Sequence, residues 1–488
     1  MKIKGFDDVC YIDEFKLKKE RASHSICHFT ASVKDETADK YLAMAGKTVT
    51  IRLDNDKPIF SGIVQEISIE RTYASTFLDV SLISLSSLID QEDKIRIFQD
   101  PDKKYADMLS AARLALKKCE LRLAGRLKTM KYENVVVQNQ ETDFAFIRRL
   151  ARYSDTNFWV NDINDDRCIL CLDDTNGNNK EIILTKDDIR ASKKKRICQG
   201  RRQWYSQWIR VKKYIELGRI VKIGKDMTKY LITSVIVKKV HEADEFFYEI
   251  EEIKKVDKIR NFKDEANFLE KTVKFKARVT NVKDPENMGR VQVEFIDKFV
   301  EDMDKRADKR TWFDYRSPYC GKQGGIVFIP DVGNVVEVVF SNEECFVTSA
   351  LRQEKLLEEC RKVEDKYIGN NTKQRIFWKE KSLELFSFEN KIIMDENHIE
   401  LNVDKNKIII DKDKILLQTP ENQILLNKDG ILTKAGKDID IQAKDVKIKG
   451  NSKIHAEAGS DVEISGKGKI KVKSNSELAL NGSTVNIC

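Results

Sequence analysis

The sequence predicts a mainly β protein with some α-helix: a strand-rich N-terminal region followed by mixed helices and strands, a small OB-type barrel, and a C-terminal β-helix or β-prism. Three observations lead to this fold class. An apolar–polar–apolar triplet recurs about every eight residues from Ile392 to the last residue. Residues 1 to about 100 contain alternating, β-rich segments, and residues 275–351 contain about five closely spaced strand patterns. Strand periodicity therefore dominates the chain.

The C-terminal repeat predicts a stiff rod, because the apolar residues of each triplet face one side of a short strand. Glycines such as Gly450, Gly459 and Gly466 fall between triplets, where the chain must turn. One unit is too short to bury its own apolar face, so neighbouring units must stack. A looser form of the repeat passes through Ile392, Ile399, Ile408, Ile415, Ile424 and Ile431. The predicted core residues are Ile439, Ile441, Val446, Ile448, Ile454, Val462, Ile464, Ile470, Val472, Leu478, Leu480, Val485 and Ile487.

Two kinds of rod fit this repeat. A single chain winding three units per turn would reach a height of only about 20 Å at roughly 4.8 Å per layer. Three intertwined chains would share every layer, and the rod would reach about 60 Å. The inward residues are small or medium aliphatics, which suits a narrow three-fold axis and a thin single-chain helix equally. The periodicity leaves both open.

Local patterns place the elements of the N-terminal region. A helix is predicted for Pro101–Cys119, and a second begins near Thr142 or Asp143 with Phe146 and Leu150 on its apolar face. A basic stretch lies between Lys193 and Lys225, with twelve Lys or Arg and one acid, Glu216. The predicted strands are Thr48–Leu53, Ile59–Val64, Phe77–Leu82, Val135–Val137, Phe158–Val160, Cys168–Leu172 and a group from Ile220 to Glu251.

Residues 275–351 predict a small barrel of the OB type. Strands at Phe275–Val279 and Arg290–Phe295 flank a turn that begins at Asp284 and contains Gly289. Further strands are expected at Gly325–Ile329 and Val335–Phe340. A short charged helix, roughly Lys355–Asp365, then leads into the rod.

Composition excludes several classes of protein. At 488 residues with 41% hydrophobic and 34% charged residues, the chain is expected to fold into three or four globular domains. No apolar run approaches the roughly 18 residues that a membrane helix needs, and charges near Met1 argue against a signal peptide. Ten scattered cysteines suit free thiols in a reducing cytoplasm. A net charge of +8 from balanced sets does not imply nucleic-acid binding.

Three segments, in order, carry a resemblance to one family. Val136–Leu150 is similar to the "ESDFxFxxRLxE" stretch of type VI secretion spike proteins (VgrG) and of baseplate hubs of contractile phages. Asp284–Val293 resembles the "DPxxxGRVxV" signature of the OB domain in that family, and Phe328–Val338 resembles its "PxVGxEVxV" ending. The signature residues are Asp284, Pro285, Gly289, Arg290, Pro330 and Gly333.

The resemblance implies a homotrimeric hub-spike at the tip of a contractile injection system: a type VI system, a phage tail or a tailocin. Its partners would be the inner tube protein, the baseplate subunits and, transiently, the target envelope. It would be made in the bacterial cytoplasm, assembled into the particle and ejected. The implied domains are a first hub barrel (1–100), an inserted α/β region (101–200), a second hub barrel (201–265), an OB-fold collar (270–352), a linker (353–375) and a β-helical spike (376–488).

Departures from relatives suggest a reduced version of such a spike. Residues 353–375 are too few to hold the lysozyme-like domain of some phage relatives, and we expect no toxin domain of the kind that some secretion spikes carry after the rod. No His-x-His pair is present to bind iron, so the resemblance implies a separate PAAR-like tip protein. No metal-binding residues are predicted, because Cys168 and Cys171 form an isolated pair on opposite faces of a strand. No catalytic or cofactor-binding residues are predicted, because no Ser/His/Asp or Cys/His grouping or acidic pair has a recognisable spacing. We expect no enzyme activity.

Two other classes of function stay open at this point. A cell-wall hydrolase of the phage-tail type would clear peptidoglycan, although the expected insertion is missing. An OB-fold nucleic-acid-binding protein would use the basic stretch, in which Trp204, Tyr205 and Trp208 lie among the cations. A docking face for tube or baseplate subunits explains the same stretch, and no specific nucleic-acid partner is predicted.

Overall fold

The structure is a computed structural model of all 488 residues. It describes the chain except residues 101, 105–106, 108–118, 124–134, 155, 166, 173–180, 200–201, 225–226, 241–242, 254–270, 305–309, 323, 342–343, 357, 359–360 and 487–488, and except the side chains of 197–199, 202–205 and 240. The chain divides into two compact units, 1–354 and 355–488. Among the described residues, no helix is long and apolar enough to cross a membrane.

Among its described residues, the first unit consists mainly of strands, with α-helices α1 (Asp35–Ala38) and α2 (Asp143–Tyr153) and short 3-10 turns at Asp39–Met44, Leu85–Ile89 and Lys186–Asp188. The strands are β1 (Lys2–Ile3), β2 (Tyr11–Glu20), β3 (Ile26–Val33), β4 (Thr48–Arg52), β5 (Pro58–Arg71), β6 (Thr76–Ser84), β7 (Lys94–Phe98), β8 (Cys119–Leu123), β9 (Val136–Glu141), β10 (Phe158–Asn161), β11 (Cys168–Leu172), β12 (Ile182–Leu184), β13 (Ile189–Gln199), β14 (Arg202–Val211), β15 (Ile220–Ile223), β16 (Thr228–Val240), β17 (Ala243–Glu252), β18 (Val273–Asn281), β19 (Gln292–Phe295), β20 (Glu301–Asp302), β21 (Asp314–Tyr315), β22 (Val335–Phe340) and β23 (Cys345–Leu351).

A twelve-stranded sheet organises the first unit. Its main path runs β1-β4-β5-β6-β3-β2-β16-β17-β14-β13, with β15 and β12 branching from β16. The strands expected in two hub barrels are therefore hydrogen-bonded to one another, because β2 pairs antiparallel with β16. One core lies against this sheet and combines Phe29 and Leu82 with Val237 and Tyr248. The division into two barrels remains a prediction.

The inserted region contains α2 and a three-stranded sheet in the order β10-β11-β8. The Thr142 hydroxyl accepts a hydrogen bond from the Ala145 backbone N–H at 3.1 Å and caps the helix where the sequence indicated. Phe146 and Leu150 are fully buried. The helix predicted over Pro101–Cys119 lies mostly outside the described residues.

The OB region forms a five-stranded sheet in the order β19-β18-β22-β23-β21 around an aromatic core that includes Phe275, Phe295 and Phe313. The prediction of a strand at Gly325–Ile329 is wrong. Gly325 makes one isolated bridge with Cys320, and residues 326–329 pair with no strand. Their apolar side chains suggested a strand, but they are exposed.

A sheet of β20, β7 and β9 joins the OB region to the inserted region. β7 pairs in parallel with β20 and antiparallel with β9. These pairings bring residues about two hundred positions apart into one sheet, which the local sequence pattern does not indicate.

One stretch contains elements that the sequence did not predict, and one predicted element is missing. In the basic stretch between Lys193 and Lys225, β13 and β14 form an antiparallel hairpin, and β13 ends the large sheet. The described residues between Lys355 and Asp365 are irregular or bent apart from a 3-10 position at Glu358, so the charged helix expected there is not observed in them.

The second unit contains nine strands, each antiparallel to the next in sequence. They are β24 (Lys366–Gly369), β25 (Gln374–Trp378), β26 (Ser382–Ser387), β27 (Asn390–Asp395), β28 (His398–Val403), β29 (Asn406–Asp411), β30 (Lys414–Gln418), β31 (Gln423–Asn427) and β32 (Gly430–Lys434). Residues 435–486 form no strand within the chain, although their backbone bends at regular intervals, at 451–452, 459–460, 467–468 and 475–476. The bends recur with the same eight-residue period as the triplets.

Candidate functional site

One face of the nine-stranded sheet carries a row of aliphatic side chains. Residues that are direct partners in neighbouring strands point to the same face of a sheet. Ile408 is paired with Leu401 and Leu417, and Leu417 in turn with Ile424. The looser upstream repeat therefore follows one face, since the same pairing rule places Ile392, Ile399, Ile408, Ile415, Ile424 and Ile431 together. We call this surface the aliphatic face.

The aliphatic face is not covered within the single chain. Ile399, Ile410 and Leu417 are 40–44% exposed, whereas Leu416 on the opposite face is 8% exposed. A groove of about 580 Å³ lies on this surface, and Ile408, Leu417, Ile424 and Ile439 contribute to its lining. Contiguous exposed aliphatic surface of this kind marks an interface.

A second set of exposed aliphatic side chains, which we call the aliphatic ladder, lies along residues 439–486. Its described members range from 49% exposed at Val485 to 76% at Ile464. They are Ile439, Ile441, Val446, Ile448, Ile454, Val462, Ile464, Ile470, Val472, Leu478, Leu480 and Val485. Ile487, also predicted to belong to this core, lies outside the described residues.

The aliphatic ladder lacks both backbone pairing and burial of its apolar side chains within the described chain. Residues 435–486 form no ladder of backbone hydrogen bonds within the chain, and the apolar residues between the bends are exposed. An extended segment of this kind loses conformational entropy without the burial and strand pairing that would offset it. Burying an Ile or Leu side chain stabilises by about 1.5–3 kcal/mol, and most of this burial is missing for the described ladder residues in the single chain.

The OB signature has a structural role in the chain. Asp284 accepts two hydrogen bonds from the Arg290 guanidinium, at 2.7 and 3.1 Å, and three from the backbone N–H groups of Glu286, Met288 and Arg290. The Arg290 hydrogen bonds hold the pKa of Asp284 well below its usual range. Gly289 has φ +76°, a conformation that favours glycine. The signature thus forms a clamped turn.

The rest of the signature lies near the same sheet. Gly333 has φ +95°, and its N–H donates to the Val279 carbonyl at 2.8 Å. Pro330 is buried, whereas Pro285 is exposed in the clamped turn. These residues shape the barrel, and their positions indicate no ligand chemistry.

A buried ionic cluster holds the inserted region against the OB region. The Arg96 guanidinium donates to Asp143 at 2.6 Å and to Glu301 at 2.8 Å, while Lys94 donates to Asp143 at 2.7 Å. Gln138 adds a bond to Asp143 at 3.0 Å. Asp143 is 1% exposed, so its charge depends on these donors. Sequence reasoning placed Asp143 only as a helix start, because its partners lie on other strands.

A Ser–His–Asp arrangement occurs beside the inserted helix. His24 Nδ1 lies 2.7 Å from Ser86 Oγ, and His24 Nε2 lies 2.9 Å from Asp90 Oδ2. Ser86 is fully buried and shares its hydroxyl with Ser84 at 2.7 Å. A nucleophile must be reachable by its substrate, and the Ser86 hydroxyl is buried. This trio therefore connects elements of the fold and supplies no accessible nucleophile.

Metal ligation is not indicated within the described part of the chain, where no three His, Cys, Asp or Glu side chains come together as ligands. Cys168 and Cys171 belong to different buried clusters on opposite sides of β11.

Comparison with known families agrees with this architecture. Residues 20–211 match the phage tail baseplate hub (GPD) family, and residues 275–348 match the type VI secretion system/phage-baseplate injector OB domain. The two matches together define a structural component of an injection baseplate. Two regions of the chain thus match family models of contractile injection systems, the baseplate hub and the injector OB domain, as the resemblance indicated.

Solved structures share this fold at low sequence identity. An E. coli component of the type VI secretion system, described as similar to the bacteriophage T4 tail proteins gp27 and gp5, aligns with TM-score 0.52 and 13% identity over 72% of this chain and 99% of that chain. A chain of the Francisella PdpA–VgrG complex aligns with TM-score 0.52 and 8% identity over 87% of this chain and 83% of that chain. No curated protein matches the chain in sequence.

The predicted mainly β fold class and the role as a structural spike of a contractile injection system are confirmed. No finding supports the cell-wall hydrolase or the nucleic-acid-binding alternative. The family is one of structural hub and spike proteins, which agrees with a non-enzymatic role.

Proposed function

We propose that three copies of this chain form the hub-spike, with the aliphatic face and the aliphatic ladder as their shared core. The observation that carries this proposal is the ladder, in which twelve described aliphatic side chains are 49–76% exposed along a segment with no strand pairing of its own. Three such segments around one axis would bury these side chains and pair their backbones between chains.

The pairing within the second unit supports the intertwined rod over a single-chain β-helix. In a single-chain β-helix, each strand pairs in parallel with the strand one coil later. Strands β24–β32 instead pair antiparallel with the next strand, and residues 435–486 pair with none. At roughly 4.8 Å per layer, thirteen shared layers make a rod of about 60 Å.

The rod is the element that punctures the target envelope in this proposal. A β-structured rod transmits axial force well, because its backbone groups are all paired and it leaves no lateral edge. The first unit would then nucleate the inner tube and meet the baseplate. A PAAR-like protein would cap the end of the rod near Val485. The chain acts without catalysis, is made in the cytoplasm and is ejected with the particle.

The β13–β14 hairpin is the docking surface that we propose for the tube or baseplate. β13 is the last strand of its sheet, and its residues from Arg190 to Arg196 are exposed on both faces. Pairing of β14 with β17 covers only Gln207–Val211, so the rest of the hairpin extends past the sheet. Lysines discourage unspecific edge pairing, and the same positive charge selects an acidic partner strand.

Native mass of the full chain tests the proposal. Three copies of 56.5 kDa make about 170 kDa by light scattering or native mass spectrometry. A trimer that resists dissociation on dilution is the expected result. A stable species of 56.5 kDa at micromolar concentration would overturn the shared core.

A further inference from the structure

We propose that Cys119 and Cys168 are an intrachain disulfide site, closed when the folded protein meets a small peroxide. Their Sγ atoms lie 3.1 Å apart in the inserted region. The two residues are direct partners on the neighbouring parallel strands β8 and β11. This proposal stands independently of the trimer and of the docking surface.

The backbone positions suit a cross-link. Register partners on adjacent strands point to the same face, with strands about 4.8 Å apart, which falls within the Cα separations that disulfides span. Closing the bond requires the two sulfur atoms to approach by about 1 Å, since a disulfide measures about 2.05 Å. Side-chain rotation can supply this movement without shifting a strand.

The neighbouring Cys171 is excluded by the same geometry. It lies three residues from Cys168 on β11, which turns its side chain to the opposite face. Cys171 packs in the core of the large sheet, whereas Cys119 and Cys168 pack in the core around Phe146. A single pairing is therefore selected among the three cysteines of β8 and β11.

The environment distinguishes the two thiols chemically. The hydrogen bond with Cys168 lowers the pKa of Cys119 and raises that of Cys168. Cys119 Sγ also lies 3.7 Å from the Leu85 carbonyl oxygen, to which its thiol donates when protonated. Cys119 is thus the thiol that reacts first, because the thiolate is the nucleophile.

The reaction balances with peroxide as the oxidant. The Cys119 thiolate attacks one peroxide oxygen, the O–O bond breaks, and Cys119 becomes a sulfenic acid while hydroxide leaves. The Cys168 sulfur then attacks the Cys119 sulfur, the S–O bond breaks, and the Cys168 proton leaves with the hydroxyl as water. Two thiols lose two electrons and the peroxide gains them.

Burial sets the rate but does not prevent the reaction. Cys119 is 3% exposed and Cys168 is not exposed, so peroxide reaches them through local opening of the region. The exposed thiols of Cys10 and Cys320 are expected to oxidise sooner. Their oxidation reports that peroxide was active during the same incubation.

The test is a peptide map of the full, folded chain after peroxide treatment and alkylation of the remaining thiols. The expected product is a linked peptide containing Cys119 and Cys168, lighter than its two reduced parts by two hydrogens. Cys171→Ser is the matched control and should give the same linked peptide, whereas Cys168→Ser should not. Alkylated Cys119 and Cys168 in a sample whose Cys10 and Cys320 are oxidised would overturn the proposal.

Stability supplies a second readout. A bond between residues 119 and 168 closes a long loop and restricts the unfolded chain, so oxidation should raise the urea midpoint of the first unit. The rise should occur in the unaltered chain and in Cys171→Ser and should disappear after reduction. The peptide map of the unaltered chain decides the proposal even if Cys168→Ser does not fold. A cross-link found only between different chains would also refute it.

Discussion

Replacing Ile464 by aspartate is expected to prevent formation of a complete rod. In the single chain the Ile464 side chain is 76% exposed, so most of its burial must come from partner chains. Since burying an isoleucine stabilises by about 1.5–3 kcal/mol, the loss is roughly 1–2 kcal/mol per chain and about 3–7 kcal/mol per trimer. Ile464→Asp also places three carboxylates in one layer near the axis.

The charge adds to this loss. Each buried carboxylate carries a desolvation penalty of several kcal/mol, and the three repel one another. The total per trimer therefore exceeds about 10 kcal/mol, and the net stability of a whole domain is only about 5–15 kcal/mol. Because every 1.4 kcal/mol changes an association constant tenfold, the loss corresponds to at least about seven orders of magnitude.

The assay is the native mass of Ile464→Asp, combined with limited proteolysis of residues 435–486. We expect loss of the trimer or rapid cleavage near Ile464. Lys471→Asp is the matched control, because Lys471 is the central residue of its triplet and points away from the axis in the proposed rod. Trimers of unchanged mass and protease resistance in Ile464→Asp would refute the assignment of the ladder as the shared core.

Three further substitutions test the first unit. Arg96→Met leaves the buried Asp143 carboxylate short of a donor and should lower the free energy of unfolding by about 3–5 kcal/mol in urea titrations; an unchanged midpoint would contradict the buried ion pair. Asp284→Ala should lower the melting temperature of the OB region more than Glu286→Ala, because Asp284 closes the turn; equal losses would count against the clamp. Burial lowers the pKa of His24 from its ordinary 6.5, so the contribution of neutral His24 to the free energy of unfolding is present above pH 6.5 and is lost as the pH falls below that value. His24→Gln should weaken this pH dependence in unfolding titrations. An identical pH profile in the variant would argue against this role of His24.

The local elements of this chain were largely readable from its sequence. Alternation over Phe77–Leu82 and the cap at Thr142 act within a few residues, so strand β6 and helix α2 occur where the pattern places them. The expected strand at Gly325–Ile329 failed because apolar composition alone does not create a pairing partner. The basic stretch contains a hairpin of two strands adjacent in sequence, and its place at the end of the large sheet depends on the pairing of β14 with β17.

The eight-residue period determines which residues of the rod share a side, because strand alternation and turn spacing are local properties. The tertiary structure decided how the backbone of this region pairs within the chain: each of β24–β32 pairs with the next strand, and the described residues 435–486 form no strand. It also decided the contact of Arg96 with Asp143 and the approach of Cys119 to Cys168. Such contacts join residues more than forty positions apart, and no local periodicity encodes which distant strands become neighbours.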